Sequence, residues 1–62
     1  MKAVAGSDIK PGMWIKLEPG DEPLEVWKVE PAVAAESWLR LVDSTGFKWP
    51  IQKSAWYAEV EF

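Results

Sequence analysis

Alternation with a period of two, rather than the 3.6-residue period of a helix, organises the apolar positions of this chain. In residues 13–18, Met13, Ile15 and Leu17 fall on one side and Trp14, Lys16 and Glu18 on the other, which predicts a half-buried strand with Trp14 outward. Residues 24–30 are rich in Val and Trp, but Leu24 and Val26 share one parity while Trp27 and Val29 share the other. Either that strand is covered on both faces or it carries a bulge near Val26 and Trp27. Residues 37–43 alternate again, Leu39 and Leu41 against Trp38, Arg40 and Val42. Residues 47–51 put Phe47, Trp49 and Ile51 on the inner face and Lys48 and Pro50 on the other, and a proline there predicts an unpaired edge or a ladder end. In the closing residues 56–62, Trp56, Ala58, Val60 and Phe62 oppose Tyr57, Glu59 and Glu61, so the chain is expected to end inside a strand.

Gly and Pro punctuate these runs. Pro11-Gly12 suits the centre of a type II turn, where Pro presets φ and Gly accepts a positive φ. Glu18-Pro19-Gly20-Asp21-Glu22-Pro23 reads as a polar loop with a second Pro-Gly turn, Pro31-Ala32-Val33-Ala34-Ala35 as a hairpin loop, and Asp43-Ser44-Thr45-Gly46 as a tight hairpin turn. Gln52-Lys53-Ser54-Ala55 is too short for an α-helix and suits one 3₁₀ turn. The sum is an all-β chain, a single domain over residues 1–62: a small, strongly bent five-stranded barrel with a one-turn 3₁₀ helix before the last strand.

With these parts in this order the sequence resembles the SH3-like barrels, the group that includes Tudor and KOW-type domains. Lys10-Pro11-Gly12-Met13-Trp14-Ile15 is similar to the Pro-Gly approach to a first barrel strand, and the stretch from Pro50 to Val60 has the turn-then-strand order. Met13 stands where such approaches often have Asp, and the KOW glycine of the second strand is not evident, so translation-factor function is not implied. Lys-Pro-Gly-x-Trp-Ile early and Ala-Glu-Val-Glu late are also similar to small accessory proteins of actinobacteria and their phages, which implies a phage or mobile-element origin.

Composition narrows the chemistry. The chain has no Cys and no His, which removes disulfides, thiolate sites, the commonest metal ligand and the usual general base. No phosphate-cradling glycine loop or paired-carboxylate motif replaces them, so the expectation is a non-enzyme with no metal and no cofactor. Asp8, Asp21, Glu22 and Asp43 fall in turns and loops, where Asp in particular serves as a turn former. Net charge −3 argues against a phosphate-backbone partner, no apolar run approaches membrane length, and residues 1–7 lack the apolar stretch of a signal peptide. A soluble, cytoplasmic protein is expected.

Five tryptophans in 62 residues then carry the functional question, because so small a core cannot readily enclose them all. Parity makes Trp49 a core ring and Trp14 and Trp38 outward ones, leaving Trp27 and Trp56 open. Trp56 and Tyr57 are adjacent and must point opposite ways in an extended chain. Outward aromatic rings anchor protein interfaces. The expected function is therefore a non-catalytic protein-interaction or regulatory module binding an unidentified protein through Trp14, Trp38, Trp27, Trp56 and Tyr57, with the acidic loop Glu18 to Glu22, including Asp21 and Glu22, steering a basic partner. A homodimer pairing its Glu59-Val60-Glu61-Phe62 segments across a two-fold axis belongs to the same class. The alternative is a barrel that binds single-stranded nucleic acid, although the basic residues are interspersed with carboxylates.

Overall fold

Six antiparallel strands make one sheet in the computed structural model, which describes residues 2–61. They are β1 (Lys2–Ala5), β2 (Trp14–Lys16), β3 (Leu24–Pro31), β4 (Trp38–Asp43), β5 (Lys48–Gln52) and β6 (Trp56–Glu59), ordered β1-β6-β2-β3-β4-β5. This is one strand more than expected. β1 has a single strong strand former, Val4, between alanines, so its local preference is weak; pairing with β6, Val4 opposite Tyr57, makes it a strand. The 3₁₀ turn also lies elsewhere, at Gly6–Asp8, whereas residues 52–55 form a turn closed by one Ala55 N–H to Gln52 carbonyl bond of 3.3 Å.

The closing strand stops at Glu59, although the Val60 N–H still donates to the Trp14 carbonyl at 2.9 Å. The expected position of Phe62 lies outside the described residues. β6 runs between β1 and β2 in the interior of the sheet, with Glu59 opposite both Lys2 and Ile15. A residue paired on both sides has no free edge, so Glu59 cannot start a two-fold ladder with a second copy.

β3 explains the conflicting parity of its residues. Val26 faces Asp43 and Lys28 faces Val42, so Trp27 is the extra residue of a β-bulge, and Val26 and Val29 both turn to the core side. The bulge bends the sheet between β2 and β4. Turns complete the curvature: Gly12 takes φ 94° after Pro11, and the Gly46 N–H, at φ 87°, closes the β4–β5 hairpin on the Asp43 carbonyl at 3.0 Å.

Ile15, Val26, Leu41 and Ile51 are the largest fully buried side chains, one each from β2, β3, β4 and β5, joined by Val4 and Ile9. Burying each such side chain contributes roughly 1.5–3 kcal/mol. Met13, Leu17, Val29, Leu39, Trp49 and Tyr57 pack around them, half-buried. Phe47, expected inside with Trp49 and Ile51, is 56% exposed because it precedes β5 and sits over the hairpin turn rather than in the ladder.

Val42 has the outward parity yet is only 5% exposed. Its cross-strand neighbours are Lys28 and Lys48, and both ammonium groups reach Glu30, at 3.3 and 3.2 Å. The aliphatic stems of the two lysines therefore arch over Val42. The paired ammoniums, Lys48 first and Lys28 second, hold the Glu30 carboxyl below its ordinary pKa.

The sheet stays open. Among the described residues no ladder joins β5 to β6 or β1; the connection between β5 and β6 is instead stitched down by Gly6 N–H to Ala55 O (2.9 Å), Ser7 N–H to Lys53 O (3.1 Å) and Lys53 N–H to Ser37 O (3.0 Å).

Candidate functional site

The unclosed side of the sheet holds a groove of about 430 Å³. Four chain segments meet there: Trp38 opens β4, Trp49 and Pro50 come from β5, Tyr57 from β6, and Leu17, Glu18 and Asp21 from the loop after β2. Each arrives for a local reason. Trp38 is aligned opposite Gln52 by the β4–β5 register, and its own N–H closes the preceding turn on the Ala35 carbonyl at 3.1 Å. Pro50 is opposite Arg40 on an edge strand, where its missing N–H breaks no ladder bond. The loop is drawn in by the turn that binds Asp21 N–H to Glu18 O at 3.0 Å.

Trp49 is fixed from behind. Its Nε1–H donates to Asp43 Oδ2 at 2.8 Å, and its ring meets Phe47 at a centroid distance of 4.6 Å and a tilt of 59°. Asp43 Oδ1 meanwhile accepts from the Thr45 hydroxyl (2.6 Å), the Thr45 N–H (2.8 Å) and the Phe47 N–H (3.1 Å). These donors hold the Asp43 carboxyl at a pKa of about 2, the Thr45 hydroxyl bond counting most and the Trp49 indole next. Asp43 is thus more than the turn former its position suggests: it locks an aromatic wall of the groove.

Tyr57 is held by its oxygen, which accepts the Gln52 N–H at 2.9 Å and leaves the phenolic proton available to a ligand. Glu18 and Asp21 are exposed, and among the described residues neither carboxylate is in an ion pair. The groove is therefore aromatic with an acidic rim. No family model, curated protein or solved structure matches this chain. What the groove can do must be read from its own residues. It offers ring faces, a hydroxyl donor and negative charge, and among the described residues no group of His, Cys, Asp and Glu gathers to hold a metal ion. No helix among them is long and apolar enough to cross a membrane.

Of the residues expected to bind a partner, Trp38, Tyr57 and Asp21 come together here. Trp56, 70% exposed, lies in an adjoining hollow of about 400 Å³ with Ala3, Lys16 and Ala58; that hollow shares Leu17, Glu18 and Tyr57 with the groove. Trp14 stands apart beside Val60 and Glu61, and Trp27, 58% exposed on its bulge, stands beside Pro11 and Gly12. Glu22 is exposed but lines none of these hollows. Glu18 joins the rim as the first residue of the expected acidic loop, whereas Trp49, Pro50 and Leu17 were not expected at the site. Parity assigns Trp49 to the inside correctly, but an inward ring on an edge strand still shows its flank at an open seam, and Pro50 was the mark of that edge.

Proposed function

We propose that this chain is an SH3-like small barrel acting as a non-catalytic protein-interaction module, which takes an extended, basic, proline-containing segment of a partner into the Trp38–Trp49–Tyr57 groove. The observation that carries this reading is the convergence of those three rings on one open seam with the carboxylates of Glu18 and Asp21, neither in an ion pair among the described residues. Flat aromatic walls receive a polyproline II segment at low entropic cost, since such a segment is already extended, and acidic rim residues steer a basic partner and select its orientation. Support for the barrel reading comes from β2 to β6: β2 to β5 form a four-strand meander with its longer loop after β2, and after a turn β6 returns to pair with the far side of β2. Carboxylates at the rim work against the alternative, a groove for single-stranded nucleic acid, whose backbone requires a basic track.

The test is a titration followed by the indole and backbone amide signals, using a Pro-Arg-rich peptide, an acidic proline-rich peptide and a short single-stranded oligonucleotide. The basic peptide is expected to shift the Trp38, Trp49 and Gln52 signals, and Trp38→Ala to weaken it at least about ten-fold, as for a central aromatic anchor. Shifts produced by the oligonucleotide alone, falling steeply with salt, would transfer the assignment to nucleic acid.

A further inference from the structure

The two edges of the sheet are built differently. The β5 edge carries Pro50 and Lys48, devices that block strand addition, while the β1 edge presents Ala3-Val4-Ala5 with neither proline nor bulge. The Gly6 N–H bond to the Ala55 carbonyl continues the β1–β6 ladder, in which Val4 faces Tyr57 and Lys2 faces Glu59. Because bonded pairs alternate along an antiparallel ladder, Lys2 and Val4 turn their amides toward β6, and Ala3 and Ala5 turn theirs to the open edge.

We propose that this edge pairs with the β1 edge of a second copy, with Val4 on the two-fold axis. Three observations choose a second copy over another partner. The segment Ala3-Val4-Ala5 is uncharged, so an antiparallel pairing centred on Val4 sets Ala3 against Ala5 of the other copy and Val4 against Val4 with no charge buried between them, each contact repeated by the two-fold axis. The same register brings Lys2 toward the Gly6–Asp8 turn of the other copy, which carries Asp8, and sets no like charges opposite each other. Trp56, directly opposite Ala5 and 70% exposed, gains a surface to cover, because the pairing sets Ala3 of the second copy beside Ala5 on the sheet face that Trp56 occupies. The dimer thus forms from β1, which replaces the closing segment as the paired edge, and its failure would leave the reading of the groove untouched.

Amide hydrogen exchange combined with sedimentation equilibrium tests this on the whole chain. As concentration rises to about 1 mM, where a Kd of that order half-fills an interface, the mean mass is expected to rise to about midway between monomer and dimer and the Ala3 and Ala5 amides to exchange about two-fold more slowly, while the amides of Lys2 and Val4 are unchanged. Ala3→Pro removes one edge N–H without touching the β6 ladder and is expected to keep the chain monomeric. Should that variant not fold, Ala5→Glu, which places a carboxylate in the interface, serves in its place with the same expected result. A strict monomer at 1 mM, or a dimer whose Ala3 and Ala5 amides exchange freely, overturns the proposal.

Discussion

The indole N–H of Trp49 donates to a carboxylate oxygen of Asp43 at 2.8 Å, binding the middle of β5 to the end of β4 beneath the hairpin turn. Asp43 is only 5% exposed, and among the described residues no buried side-chain polar atom lacks a hydrogen-bond partner. Replacing Trp49 by Phe keeps an aromatic wall in the groove but strips Oδ2 of its donor. The expected loss is about 1–3 kcal/mol in a urea unfolding curve, the range for leaving a buried acceptor unmet. Peptide binding at Trp38 should survive in the fraction that stays folded.

Acid should find the same residue. The folded state lowers the Asp43 pKa from 3.8 to about 2, so the carboxylate binds its proton less readily in the fold than in the unfolded chain. Its stabilising contribution is complete above the ordinary value and is lost as pH falls from near 3.8 toward 2. Glu30, lowered by Lys48 and Lys28, adds to the loss in the same direction. Urea midpoints measured between pH 6 and pH 2 should fall across that window, and in Asp43→Asn the fall should be shallower from a lower starting stability.

Gly6 is buried where the chain leaves β1, and a Cβ built there would collide with the main-chain carbonyl of Gln52. Backbone cannot swing aside as a side chain does. Gly6→Ala is therefore expected to cost about 1–3 kcal/mol or more, through the bonds that Gly6 and Ser7 make to residues 53–55. A thermal melt within a degree or two of the parent would show that the β5–β6 connection is not pinned as described.

Ala34 offers a change in the opposite direction. It holds φ 62° in the connection between β3 and β4, a region that costs a residue with a Cβ roughly 1–2 kcal/mol. Ala34→Gly should recover part of that, offset by the greater freedom of glycine in the unfolded chain, for a net gain of up to about 1 kcal/mol. Chemical denaturation resolves a gain of that size.

Residues such as Ile15, Leu39, Leu41 and Ile51 show how far alternation alone leads: each turns to the side its parity assigns, and even the disputed strand was legible as a bulge at Val26 and Trp27. β1 was not legible, because alanines carry little strand preference and only β6 reveals their role. The groove was half legible. Trp38, Tyr57 and Asp21 announce themselves as outward or loop residues, but their meeting with Trp49 and Pro50 depends on which edge the sheet leaves open, a property of topology that no local pattern encodes. Phe47 failed for a related reason, since parity is meaningful only where a ladder exists.

The bulge in β3 has an effect that composition does not contain. Deleting Trp27 would remove no core residue and would keep Val26 and Val29, then two positions apart, on one face of a regular strand, yet it would remove the bulge that bends that strand. A single inserted codon is then enough to turn a flat hairpin into a corner, and the curvature of the sheet depends on that one unpaired residue. In lineages of such domains, gains and losses of one residue in this strand should reshape the groove more than substitutions within it.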